Sequence, residues 1–171
     1  MASSGRPTTP PRADRRRWGR AQQEPTTDSY RAGAKPADHA TCPTCGVVFA
    51  NGRWQWLPPP PGAPRQPCPA CRRIADRQPA GVVNVRGGFA AAHEGEIRSL
   101  ISHQEAAEKQ EHPLNRLMAV VRDGEALLAQ TTDIHLARRI GDALKHAYHG
   151  TLAVTYDEQR YFVRVDWSRD S

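Results

Sequence analysis

Residues 41–77 read TCPTCGVVFANGRWQWLPPPPGAPRQPCPACRRIADR and contain every cysteine of the chain. The cysteines form two Cys-Pro-X-Cys pairs, and 22 residues separate the second cysteine of the first pair from the first cysteine of the second. Two thiolates in a C-x2-C turn can reach one ion, and two such turns complete a tetrahedral shell. The spacing therefore predicts one structural zinc ion, with Cys42, Cys45, Cys68 and Cys71 as its ligands.

Two other uses of paired cysteines remain open at this stage. A thiol-disulfide active site normally has one C-x-x-C pair at the start of a helix that follows a strand, and neither pair has that setting. Tetrathiolate iron uses the same four sulfurs as zinc. His39 and His93 are further candidate ligands, but a histidine near a complete four-cysteine set is more often a surface residue.

The segment between the cysteine pairs predicts a zinc ribbon. VVFANGRWQWL has the pattern of a β-hairpin with Asn51-Gly52 as its two-residue turn. Trp54 and Trp56 alternate with Gln55 and so point to one face, where packing over a small core is favoured over stacking on bases. The proline-rich residues 57–67 then form a loop that need not disturb the ligands.

Composition and charge divide the 171 residues into three parts. Residues 1–37 carry eight Lys/Arg against three Asp/Glu, residues 38–86 six against two, and residues 87–171 ten against thirteen. Positive charge in the first two parts favours a polyanionic partner, most simply nucleic acid. The chain has no run of 18 apolar residues and no secretory leader pattern, so we expect a cytoplasmic protein without a membrane partner.

Residues 1–38 are predicted to be a disordered basic tail, because their Pro-, Ser- and Arg-rich composition offers little apolar surface to bury. Within it, arginines flank Trp18, a pattern that suits phosphate contact and base stacking as well as it suits a merely solubilising tail. Residues 39–86 form the predicted ribbon. The predicted RNA contacts of these two parts are Arg15, Arg16, Arg17, Arg53, Arg72, Arg73 and Arg77.

Residues 87–171 predict an α+β domain of order α-ββ-α-ββ. An amphipathic helix ends before Pro113, apolar runs flank Asp123-Gly124, a second helix ends at Gly150, and an alternating apolar pattern closes the chain. The expected architecture is one four-stranded antiparallel sheet with both helices on one face. No phosphate-binding loop, nucleophile elbow or metalloprotease pair is present, so we expect no enzyme activity.

The order of these features resembles the zinc-binding part of the archaeal and eukaryotic large-ribosomal-subunit export adaptor family and its small bacterial relatives. The paired CPTC and CPAC turns, VVNVRGG, TTDIHLARRIGDALKHAYHG and YFVRVDW carry this resemblance, over about residues 40–169. It implies association with ribosomal RNA or the large ribosomal subunit. The predicted function is non-enzymatic binding of structured RNA. The alternatives are a protein-interaction adaptor, which would bind its partner through the C-terminal domain, and a thiol-disulfide protein.

Overall fold

The computed structural model describes residues 27–171, which fold into a small ribbon and a larger α+β unit. In the ribbon, strands β1 (Val48–Ala50) and β2 (Arg53–Gln55) pair antiparallel. Asn51 and Gly52 both have positive φ, at 52° and 80°, which gives a two-residue hairpin the twist that matches its strands. Helix α1 (Pro69–Asp76) completes the ribbon. The predicted hairpin is thus confirmed.

The α+β unit is built on a five-stranded mixed sheet. Its strands are β3 (Gly81–Arg86), β4 (Leu117–Asp123), β5 (Ala126–Thr131), β6 (Thr151–Tyr156) and β7 (Val163–Ser168). Their order across the sheet is β4-β5-β3-β7-β6, with β3 parallel to β7 and every other pair antiparallel. The two predicted hairpins, β4–β5 and β6–β7, therefore lie on either side of β3.

The prediction of one four-stranded antiparallel sheet is wrong because the segment that contains β3 was assigned to the ribbon. Val83 and Val85 are fully buried, and β3 pairs on both sides. A strand buried in the middle of a sheet has a continuous run of apolar residues, and nothing in that run indicates which other strands pair with it. The predicted boundary after residue 86 falls at the end of the central strand of the sheet.

Three helices complete the α+β unit: α2 (Gly88–Ala92), α3 (Glu94–Glu111) and α4 (Ile134–Tyr148). Helix α4 packs on strands β3, β5, β6 and β7, and α3 packs beside it on β4. Asp133 caps α4, with its carboxylate accepting the backbone N–H of His135 at 2.7 Å. The buried core between helices and sheet includes Ile97, Ile101, Leu136, Ile140, Leu144, Val83, Val85, Val165 and Trp167.

Alternate residues of the sheet face away from these helices. Val121, Ala153 and Arg164 are exposed on that side.

Within residues 27–171, no helix combines the length and the apolar character that a bilayer crossing needs.

The ordered part of the chain begins before residue 39, where composition predicted that the disordered tail would end. Asp28 is buried, and its carboxylate lies 2.5 Å from the guanidinium of Arg73 on α1. The Asp28 backbone carbonyl accepts the N–H groups of Arg31 and Ala32, and Tyr30 donates its hydroxyl to Asp76 at 2.8 Å. Residues 28–38 are therefore a docked segment rather than part of a disordered tail, while residues 1–26 lie outside the described part of the chain.

A close approach of α4 to the sheet gives the first prediction. A Cβ added to Gly141 would lie 2.5 Å from a methyl carbon of Val165, whereas one added to Gly95 of α3 meets nothing within 4 Å. We expect Gly141→Ala to destabilise the fold by about 1–3 kcal/mol through overpacking. Gly95→Ala should be neutral or stabilise by up to about 1 kcal/mol. Urea unfolding of both variants checks this, and equal stability of the two would contradict it.

Candidate metal centre

The four cysteines converge on one point. Their sulfur atoms all lie within 4.8 Å of one another, and the Cys45 and Cys68 sulfurs are 3.7 Å apart. A tetrahedral ion bound about 2.3 Å from each sulfur would place the sulfurs about 3.8 Å apart. The predicted ligand set is thus arranged to hold one metal ion. His39 and His93 are not part of this group and instead lie beside Asp38 and Glu96.

The first cysteine turn is a tight knuckle that precedes the hairpin. The Gly46 N–H donates to the Cys42 carbonyl at 2.9 Å, and the Cys42 N–H donates to the Val47 carbonyl at 2.9 Å. Gly46 has a φ of 82°, which a residue with a side chain rarely adopts. This turn points the sulfurs of Cys42 and Cys45 to the same side.

The second cysteine turn is the beginning of α1. Cys68 is the N-cap, and its sulfur accepts the backbone N–H of Cys71 at 3.4 Å. Pro69, which has no N–H to satisfy, takes the first helical position. A C-x2-C pair at a helix start thus directs both sulfurs inward from one turn of backbone.

The proline-rich loop joins the two turns without displacing them, as predicted. Thr41 donates its N–H to the Pro64 carbonyl at 2.7 Å and accepts the Gln66 N–H at 3.0 Å. These bonds fasten the end of the loop to the residue that precedes Cys42. The extra length between the cysteine pairs is therefore accommodated outside the site.

The two tryptophans of the hairpin have different roles. Trp54 is buried, with its ring 5.5 Å from that of Phe49 in an edge-to-face contact, so it packs over the small core as predicted. Trp56 is 41% exposed, and its indole N–H donates to the Lys109 carbonyl at 2.8 Å. Trp56 therefore connects the ribbon to the end of α3.

Arg116 is the functional residue that sequence reasoning missed. Its buried guanidinium comes from the α+β unit and donates to the sulfurs of Cys45 at 3.1 Å and Cys71 at 3.3 Å. It also lies 3.8 Å from the sulfur of Cys68. In the sequence, Arg116 is one of many arginines and follows a predicted helix, and nothing near it indicates a contact with the cysteines.

Thr132 positions Arg116. The hydroxyl of Thr132 accepts the Arg116 N–H at 2.9 Å and donates to the Leu114 carbonyl at 2.6 Å. The Arg116 side chain also donates from Nε to the Pro113 carbonyl at 2.6 Å. The loop that carries the guanidinium is thus fixed by the segment that begins α4.

Charge governs the protonation of the cluster. A hydrogen bond from the Cys68 thiol, helped by Arg116, lowers the pKa of Cys45. The same hydrogen bond raises the pKa of Cys68, and burial raises that of Cys71. Burial opposes the charged form of Arg116, but its contacts with Cys45, Cys68 and Cys71 together outweigh this and raise its pKa. A divalent cation bound by the four sulfurs would offset two more of the negative charges that four thiolates carry.

The predicted RNA-contact residues have different surroundings. Arg53, Arg72 and Arg77 are exposed on the ribbon, and Arg15, Arg16 and Arg17 lie outside the described residues. Arg73 is only 5% exposed, because its guanidinium pairs with Asp28 and stacks 4.2 Å above the Tyr30 ring. The sequence prediction for Arg73 is corrected accordingly: it holds the N-terminal segment and does not face solvent.

No protein-family model matches the chain, and comparisons with curated proteins and with solved structures give no significant match.

Loss of one ligand should open the ribbon. We expect Cys68→Ser to lower the metal content well below one ion per chain and to unfold the ribbon, because metal binding and folding are coupled at such sites. Elemental analysis and thermal unfolding measure the two effects. Thr44→Ser, an exposed change within the first cysteine turn, is the control. Unchanged metal content and melting temperature in Cys68→Ser would defeat the assignment.

Removal of the Arg116 charge should weaken metal binding while leaving the four ligands in place. Groups that hydrogen-bond to metal ligands typically contribute about 10–100-fold to affinity, and we expect a loss in that range for Arg116→Gln. Competition with a chromophoric chelator measures it. Arg122→Gln, which removes an exposed arginine paired with Glu94, should change the affinity less than twofold by the same measurement. Equal affinities in the two variants would rule out this role.

Proposed function

We propose that the chain is a non-enzymatic zinc-ribbon protein that binds structured RNA. The four cysteines would hold a single zinc ion with a structural role. Four sulfur donors and no open position suit a closed tetrahedral site, which zinc adopts without a redox reaction. Iron shares this ligand set, and elemental analysis distinguishes the two metals.

The structural role follows from where the metal centre lies. Its ligands come from the turn before the hairpin and from α1, and Arg116 adds a contact from the α+β unit. A ribbon of this size has a core of only a few side chains, among them Val47, Phe49 and Trp54. Such a core is too small to fold alone, so the ion supplies the missing stability.

One observation carries the RNA proposal: the first described residues, to which the basic residues 1–26 are joined, dock beside the exposed arginines of the ribbon. The Asp28–Arg73 pair and the Tyr30–Asp76 hydrogen bond dock residues 28–30 on α1, the helix that carries Arg72. Residues 1–26 contain six arginines against two acidic residues and start from this point. Tail and ribbon can therefore contact the phosphates of one RNA together.

The resemblance to the export adaptor family supports ribosomal RNA or the large ribosomal subunit as the target. A protein with this target and no catalytic step would act by electrostatic docking, and we place it in the cytoplasm. Nuclear export belongs to additional domains of the eukaryotic adaptor and is not part of the proposal.

The second candidate is a protein-interaction adaptor. The sheet face away from the helices exposes apolar side chains, with Val121 45% exposed on edge strand β4. Exposed apolar surface favours a protein partner over a nucleic acid. This candidate predicts binding that survives high salt and deletion of residues 1–26.

Purification from the native host separates the two candidates. The protein is isolated at low and at moderate salt, its metal is quantified, and co-purifying RNA is sequenced. One zinc per chain with ribosomal RNA that is shed as salt rises would support the RNA proposal. Zinc without RNA at either salt concentration would contradict it and leave the adaptor.

Binding to a labelled RNA hairpin gives the matching prediction in vitro. For each phosphate that the protein no longer neutralises, the slope of log K against log salt should become shallower by about one. We expect this for Arg77→Gln, and a change of several units when residues 1–26 are deleted. Arg164→Gln, an exposed change on the sheet face away from α3 and α4, should leave the slope as it is. A slope near zero for the intact protein would contradict RNA binding through phosphates.

A further inference from the structure

A cleft of about 1020 Å³ separates the ribbon from the α+β unit. One wall consists of residues 30–36, the hairpin turn and the beginning of α1. The other wall consists of the end of α3, the loop after it and the beginning of α4. The cleft is distinct from the metal centre, since none of the four cysteines lines it.

Most of the negative charge in the cleft is already neutralised. Glu108 pairs with Arg139 at 2.8 Å and accepts a hydrogen bond from Asn115 at 3.0 Å. Asp133 caps α4, accepts the Tyr161 hydroxyl at 2.9 Å and lies 3.7 Å from Arg31. Their carboxylates therefore contribute little net field to the cleft.

Three cations of the ribbon wall remain available. Lys35 and Arg53 are exposed and make no ion pair within residues 27–171. Arg72 is exposed and donates only to the backbone carbonyl of Tyr30. Glu111 is the one acidic side chain of the cleft that has no ion pair among the described residues. The cleft therefore carries a net positive charge and attracts an anion.

The size and lining of the cleft select the class of anion. A volume near the upper end of ligand pockets is far larger than one phosphate needs. Apolar and aromatic side chains such as Pro36, Leu114 and Tyr30 line the cleft together with the cations. Cations combined with apolar and aromatic surface suit a chain of phosphates that carries planar bases. A single strand exposes the faces of its bases, whereas a double helix keeps them stacked, so we expect a single strand to be preferred.

We propose that this cleft binds a single-stranded segment of RNA, with its phosphates against Lys35, Arg53 and Arg72. The inference rests on the proposed RNA binding and goes beyond it, because it assigns the contact to a cleft and adds Lys35. The two walls are joined by Arg116, which donates to the Cys45 sulfur, and by Trp56, which donates to the Lys109 carbonyl. A loop or an end of a structured RNA provides such a segment.

Gln66 allows a test that adds charge with little change of shape. It lines the cleft, and its side-chain oxygen accepts the Ala37 N–H at 3.3 Å, a bond that a glutamate can keep. The zinc-loaded full chain is titrated into a fluorescein-labelled 12-nucleotide oligouridine, with anisotropy as the signal. We expect Gln66→Glu to weaken binding roughly tenfold through repulsion of the phosphates. Gln130→Glu on β5, outside the cleft, should change affinity less than twofold.

Removal of a positive charge is the complementary test. Lys35→Gln should make the slope of log K against log salt shallower by about one, and Arg164→Gln should not change it. Thermal unfolding and zinc content of each variant confirm that the fold is intact. A pre-annealed RNA duplex should bind the intact protein more weakly than the single strand.

The outcomes separate the two proposals. If the intact protein binds the oligouridine and both cleft variants bind it equally well, the cleft assignment is overturned and RNA binding through tail and ribbon stands. Preference for the duplex would also overturn the cleft assignment. If the intact protein binds neither RNA, both proposals are overturned. A selective decrease of affinity in Gln66→Glu and Lys35→Gln supports the cleft.

Discussion

Four thiolates within 4.8 Å of one another repel each other unless positive charge lies among them, and the rest of the structure depends on how that charge is supplied. A divalent ion at the centre leaves two negative charges in excess. Arg116 offsets one of them from a buried position, where a charge-assisted hydrogen bond is stronger than at the surface. The guanidinium is itself costly to bury without these sulfurs. The ribbon and the α+β unit are therefore joined where the cysteine sulfurs of one and the Arg116 guanidinium of the other neutralise each other's charge.

A second buried arginine, Arg73 on α1, is likewise paired with a negatively charged group from a distant segment of the chain. Arg73 is buried, and its Nη2 donates to the Asp28 carboxylate of the N-terminal segment at 2.5 Å, with Tyr30 stacked on the guanidinium. The first described residues are thus attached to the ribbon by this ion pair, by the stacked ring of Tyr30 and by the hydrogen bond from Tyr30 to Asp76. Residues 30–36 owe their place as a wall of the cleft to these contacts.

The features that could be predicted from the sequence are those set by residues close to one another in the chain. The C-x2-C spacing and the Asn51-Gly52 turn each express a constraint within a few residues, and the structure confirms both. The sequence was insufficient where a residue's role depends on distant partners. Arg73 and Arg116 look alike in sequence, yet one pairs with Asp28 and the other with the cysteines. Strand β3 was misassigned for the same reason, because its neighbours lie about 45 and 80 residues later.

The parallel pairing of β3 with β7 has a consequence for synthesis of the chain. Residues 81–85 pair on one side with residues 127–131, and residues 81–86 pair on the other side with residues 163–168, which are synthesised later than both β3 and β5. Until then one edge of the central strand is apolar and unpaired, the condition in which strands of separate chains associate. The nascent protein can close its metal site and its first three-stranded half early. The edge is nevertheless protected only after residues 163–168 have been synthesised.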